Sequence, residues 1–155
     1  MIAPDDRGMK KRISVLVAHQ ERTFYHRLRR IFRRQKDLAL LDPAETETDL
    51  VRMIRRRRPR VLFLDTRFVR GNGYRLLAEL RQRSPATKVI LLDNRYRTIE
   101  EVKAAKVGAR GYIGGEVEPA TLRKAVRVTE AGEIWMRRKT MSLILDEFLR
   151  LAPPP

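Results

Sequence analysis

Val61-Leu62-Phe63-Leu64-Asp65 is an unbroken apolar run that stops abruptly at a carboxylate. A run this short and this apolar reads as a strand buried on both faces, as in a parallel sheet. Val89-Ile90-Leu91-Leu92-Asp93 repeats the pattern, again ending in aspartate. Between the two, Gly71-Asn72-Gly73 marks a turn, and Tyr74 to Arg83 brings Leu76, Leu77 and Leu80 to one helical face before Ser84-Pro85 closes it. Strand, helix, strand is the unit of a parallel crossover.

The same alternation extends outward in both directions. Toward the N-terminus, Arg12 to Ala18 predicts a buried strand, Glu21 to Gln35 a helix (Phe24, Leu28, Ile31, Phe32), Leu38 to Leu41 a strand, and Asp49 to Arg57 a helix stopped by Pro59. Toward the C-terminus, Ile99 to Val107 predicts a helix with Gly108 as its cap, Ala109 to Ile113 a strand, and Pro119 the opening of a helix that Gly132 follows. Five βα units imply an α/β fold, a doubly wound parallel sheet with helices on both faces. Sites in such sheets form at the carboxyl ends of the strands. His19 with Gln20, Asp65 and Asp93 fall at those ends.

Beyond the fifth helix, Glu133-Ile134-Trp135-Met136 leads into an added amphipathic helix, Thr140 to Leu151, with Met141, Ile144, Leu145 and Phe148 on one face. That face is expected either to fold back on the domain's fifth helix or to meet a partner. The organisation expected is a disordered lead over residues 1–11, one domain over 12–132, and a linker helix with a proline-rich end over 133–155.

Composition narrows the function. With no cysteine among 155 residues, thiolate catalysis, disulfides and Cys-ligated zinc are excluded. No segment approaches the about 18 apolar residues of a membrane span, and the start lacks a secretory pattern, so a cytoplasmic protein without membrane contact is expected. The net charge of +16 is mostly arginine spread along the chain. Such a surplus is either a solvated surface or a nucleic-acid footprint, and a footprint should form a clustered stripe. The densest run, Arg55-Arg56-Arg57-Arg58-Pro59-Arg60, sits at a helix end, where cations suit the dipole.

Several stretches together resemble the receiver domain of two-component response regulators, in the LuxR/NarL-type branch. They are Val61 to Asp65 with Gly71 to Leu77, Gly108-Ala109-Arg110-Gly111-Tyr112-Ile113, and Ala131-Gly132-Glu133-Ile134-Trp135-Met136. The resemblance covers residues 12–150. It implies the flavodoxin-like, CheY-like (βα)5 fold with strand order 2-1-3-4-5, plus the extra C-terminal helix. It also implies a chemistry: an aspartate accepts a phosphoryl group from a histidine kinase or small phosphodonor, an acidic pair binds Mg²⁺, and a Thr/Ser and a Lys contact the phosphoryl oxygens.

By that resemblance Asp65 stands at the acceptor position and Tyr112 at the switch aromatic. The acidic pair is replaced by His19 and Gln20, the Thr/Ser by Asp93, the Lys by Gly115 and the loop proline by Val69. A carboxylate attacking an anionic phosphoryl group needs positive charge, and Mg²⁺ needs hard oxygen ligands. The expectation is therefore an atypical, non-enzymatic receiver with Mg²⁺ binding weak or lost. It would act through a protein partner or as a homodimer, with a histidine kinase unassigned. DNA would be reached through a C-terminal helix-turn-helix domain outside this chain or through the basic surface.

Alternatives stay open at each position. Asp65 is a surviving phosphoacceptor or a relic carboxylate paired with Arg67 or Arg95. His19, Asp65 and Asp93 form a site for Zn²⁺ or Mn²⁺, or His19 bonds an aspartate as an internal cation, which would make the site pH-sensitive. Tyr112 is a switch or a fixed packing residue.

Overall fold

The computed structural model describes residues 12–72 and 74–155. The expected lead over residues 1–11, and Gly73 of the turn motif, lie outside the described residues. The chain runs β1 (Ile13–Ala18), α1 (Arg22–Phe32), β2 (Leu38–Leu40), α2 (Glu47–Arg57), β3 (Val61–Asp65), α3 (Arg75–Arg83), β4 (Lys88–Asp93), α4 (Thr98–Lys106), β5 (Gly111–Gly114), α5 (Pro119–Glu130) and α6 (Arg138–Leu151). All strand pairs are parallel, in the order β2-β1-β3-β4-β5. The fold class and strand order therefore agree with the reading of the sequence.

Strand alternation divides the apolar side chains between two cores. Leu62 and Leu64 of β3 join Leu16, Leu91 and the buried faces of α2, α3 and α4. Val61 and Phe63 point the other way, to Val15, Val17, Ile90 and the faces of α1 and α5. A strand with both faces covered must be apolar throughout, which is why β3 and β4 read as continuous runs.

Helix ends are where sequence and structure part: α1 stops at Phe32, three residues short of the expected Gln35. α2 opens two residues before Asp49, because the Thr46 hydroxyl accepts the Asp49 backbone N–H at 3.1 Å and so caps the helix one turn earlier. Thr46→Ala should cost about 1 kcal/mol in urea unfolding. The loop after β3 forms two short 3-10 turns, Thr66–Phe68 and Arg70–Asn72, the second taking in Gly71 and Asn72 of the turn motif, and Tyr74 enters α3 in the left-handed region at φ 68°.

In the C-terminal segment Trp135 packs on the core cluster that includes Leu122, Ala125 and Val126 of α5, as one of the expectations had it, and the docking of the tail helix is corrected. Trp135 lies alongside β5: it donates its N–H to Arg110 O at 2.8 Å, and its carbonyl accepts the Tyr112 N–H at 2.9 Å. α6 then docks on α4, not on α5. Its docked side is Thr140, buried, with Met141, Ile144 and Glu147 half-buried, while Leu145 and Phe148 are 55% and 65% exposed. Polar contacts set this rotation. Glu101 of α4, fully buried, accepts hydrogen bonds from the Arg137 N–H (3.3 Å), Arg137 Nε (3.3 Å) and the Thr140 hydroxyl. Lys106 meets Glu147 at 2.6 Å one turn further along. Glu101 thus does for α6, from another helix, what a capping-box glutamate does within its own.

Candidate functional site

The carboxyl ends of β1, β3 and β4 bring His19, Asp65 and Asp93 to one cleft of about 490 Å³, which Gly115, Phe24, Arg27, Arg67 and Arg70 also line. Asp65 and Asp93 are both buried, at 4% and 6% exposure, so each needs compensation for its lost water.

Asp65 is held by its own loop. Its Oδ1 accepts the Arg67 N–H at 3.0 Å, which starts the first 3-10 turn. Its Oδ2 accepts Arg67 Nε at 2.8 Å and stands 2.6 Å from Arg67 Nη2, while the Gln20 N–H approaches at 3.4 Å. Arg95, the other arginine expected there, makes no ion pair with Asp65 among the described residues.

Asp93 is bound from three sides. Its Oδ1 accepts Arg70 Nη2 at 2.7 Å and the Asn94 N–H at 2.8 Å. Its Oδ2 accepts the hydroxyl of Tyr112, a ring with no exposure at all. Arg97 Nε lies 3.4 Å from the same oxygen, near enough for charge attraction but outside hydrogen-bond geometry. Burial pushes the Asp93 pKa up, but the bonds from Tyr112 and Arg70 outweigh it, so the net shift is downward. Burial, then the neighbouring Asp93 carboxylate, hold the Tyr112 phenol well above its ordinary value.

Gly115 lies in the left-handed region at φ 80°, where any side chain would strain the backbone. Its neighbour Gly114 is required by contact: a Cβ there would fall 2.4 Å from the Tyr96 backbone nitrogen.

Residues 15–127 match the family described as the response regulator receiver domain. The chain belongs to that family. It is 23% identical over 142 residues to the transcriptional regulatory protein DegU of Brevibacillus brevis, covering 92% of this chain and 60% of the relative. It is 25% identical to the uncharacterized transcriptional regulatory protein YxjL of Bacillus subtilis, covering 91% and 65%. The chain thus spans less than two thirds of these relatives' length. Among solved structures, a LuxR-family two-component response regulator from Aurantimonas sp. SI85-9A1 superposes with a TM-score of 0.75 at 20% identity, covering 90% of this chain and 99% of that one. The NarL receiver domain from Mycobacterium tuberculosis gives 0.72 at 20%, covering 80% and 100%.

In this receiver the cations around the two carboxylates are Arg67, Arg70 and Arg97. Among its described residues no group of three or more His, Asp or Glu side chains is placed to hold a metal ion. His19, Asp65 and Asp93 therefore do not assemble as a Zn²⁺ or Mn²⁺ site. Asp65 gives both oxygens to Arg67, the neighbouring His19 and Gln20 offer an imidazole and an amide to a hard cation such as Mg²⁺, and the carboxylate of Glu21 lines the same cleft, 3.8 Å from Arg67.

His19 stands beside Asp65 without a hydrogen bond to it. Its ring stacks on Phe24 with centroids 4.5 Å apart, and its Nδ1 accepts the Glu21 N–H at 3.0 Å. The proton of the neutral ring then sits on Nε2, which faces Asp65 Oδ2 at 3.7 Å, too far for a hydrogen bond. Burial lowers the His19 pKa, Asp65 opposes that, and Arg67 reinforces it; the net shift is down.

The unfolded chain therefore takes up a proton at His19 before the receiver does, and stability falls as pH drops below the ordinary value of 6.5. Between about pH 7.5 and about pH 5.5, urea midpoints should decline for the native receiver and decline less for His19→Gln. An unchanged slope in the variant would contradict a buried neutral imidazole.

Sequence reasoning found Asp65, Asp93 and Tyr112, and Arg67 as one of two candidate partners of Asp65, but singled out neither Arg70 nor Arg97. The available signal was spacing: arginines stand two and five residues after Asp65 and four after Asp93.

Proposed function

We propose that this receiver is a phosphorylation-independent regulatory module that acts by protein contact in transcriptional control, and that it is not an enzyme. The observation that carries the reading is the engagement of both site carboxylates: Asp65 by Arg67, and Asp93 by Arg70 and Tyr112. Phosphoryl attack needs a carboxylate oxygen that is free and a cation that is not yet neutralised. Here the arginines spend their charge on the aspartates themselves. Mg²⁺ binding is accordingly weak or lost, and Tyr112 is held inward without any phosphoryl group.

A module set in this way responds to a partner protein or a second copy, not to a histidine kinase. The role in transcription is carried over from DegU and YxjL, both named transcriptional regulatory proteins. No helix of the described residues is long and apolar enough to cross a membrane.

Amide NMR spectra titrated with Mg²⁺, with and without beryllium fluoride as a phosphoryl mimic, test the reading. The amides of Asp65, Thr66, Asp93 and Tyr112 should show no saturable shift. A saturable shift at Asp65 that needs both reagents would overturn it.

A further inference from the structure

The sheet is parallel, so every strand starts at the same edge, opposite the cleft, and the helices that return antiparallel to it end there. At that edge, beside the outer strand β2, the end of α1 and the loop after it gather Arg29, Arg30, Arg33, Arg34 and Lys36, all exposed, and Arg12 joins them from the entry to β1. They border a groove of about 700 Å³ whose floor is β2. Two of the nearby acids are already occupied: Asp37 is held by Arg127 at 2.8 Å and Glu130 by Arg60, while Asp42, beyond the far end of β2, is exposed.

The helix dipole accounts for part of this charge only. Arg29 and Arg30 lie in the last turn of α1, where a cation is favoured, but Arg33, Arg34, Lys36 and Arg12 lie beyond it. α2 ends at the same edge with Arg55, Arg56 and Arg57, which extends the charge across the other flank of β2. The arginine surplus is therefore not evenly spread: it forms the clustered footprint expected of a polyanion site.

We infer that this edge binds the phosphate backbone of duplex DNA, without sequence preference. Five of the six cations around the groove are arginine, whose planar fork holds a phosphate through two hydrogen bonds. Among the described residues the exposed large apolar side chains lie at residues 96, 99, 134 and 143–151, away from this edge, so no described side chain here is suited to enter a lipid surface. The inference is independent of the state of the Asp65 site.

Fluorescence anisotropy of the full chain with two labelled duplexes of unrelated sequence, measured over a salt series, tests it. Both duplexes should bind alike, with affinity falling steeply with salt. The triple variant R30E/R33E/R34E should bind at least about 10-fold more weakly at about 100 mM salt and lose about 2 to 3 from the log–log salt slope. The neutral triple R30Q/R33Q/R34Q should fall between. K124E/K139E/R150E makes the same change in net charge away from this edge and should stay within about threefold of the native chain. No binding at about 50 mM salt, an equal loss in both charge-reversed triples, or preferential binding to vesicles of about 30% phosphatidylserine in phosphatidylcholine would each overturn the inference.

Discussion

Replacing Asp93 with alanine should destabilise the receiver by about 2–4 kcal/mol in chemical denaturation. The carboxylate is buried and serves four groups at once. Removing it strands the Tyr112 hydroxyl in the core and leaves Arg70 and Arg97 without their counter-charge. An orphaned buried hydroxyl costs about 1–3 kcal/mol. The broken ion pairs add less than a fully buried pair would, because Arg70 and Arg97 are 36% and 30% exposed and stay partly hydrated. The same carboxylate makes the protein acid-sensitive. Its pKa in the folded state lies below the ordinary 3.8, so its contribution is present above that value and is lost as pH falls through the folded one. Near-ultraviolet circular dichroism should change with the substitution, since Tyr112 loses the bond that fixes its ring. A variant as stable as the native chain would mean that Tyr112 and the arginines do not depend on Asp93.

Glu101→Ala should loosen α6 and cost about 2–3 kcal/mol. Glu101 is the one acceptor shared by the start of α6 and the Arg137 and Thr140 side chains, and it has no exposure. Its loss leaves the Thr140 hydroxyl buried without its acceptor and the Arg137 guanidinium over the Tyr96 ring, 4.4 Å from the centroid, without its carboxylate. The remaining hold on α6 is Arg137 Nη2 on the Thr98 hydroxyl of α4 at 3.0 Å, the half-buried Met141 and Ile144, and the exposed-side pair Lys106–Glu147. Trypsin should therefore cut the variant faster after Arg138 and Lys139, and hydrogen exchange of α6 amides should rise while β3 amides stay protected. Equal cleavage rates would place the stability of the α4–α6 contact in its apolar residues alone.

The fold was legible because its signal is periodic and local. β3 and β4 are covered on both faces, so their runs are unbroken, and the helices between them show one apolar stripe each. The carboxylates at the strand ends were legible for the same reason: in a parallel sheet, strand order alone brings Asp65 and Asp93 together. What stayed hidden depends on reach. Arginine side chains have four rotatable bonds, and nothing in a linear spacing tells whether Arg70 turns to Asp93 or to solvent. Glu101 reads as one of two surface glutamates in α4, and only its partner 36 residues away makes it a buried anchor. The docked side of α6 was misjudged because the helix is apolar on more than one stripe, and periodicity does not say which stripe meets the domain. Polar pairs at Thr140 and Glu147 decide it.

Intact mass after incubation with acetyl phosphate and Mg²⁺, with Asp65→Asn alongside, tests the phosphorylation-independent account most directly. The account predicts an unshifted mass for each protein, because Asp65 is engaged by Arg67 and the positions beside it are His19 and Gln20, not a pair of carboxylates. A gain of one phosphoryl group by the native chain, absent in Asp65→Asn, would contradict it.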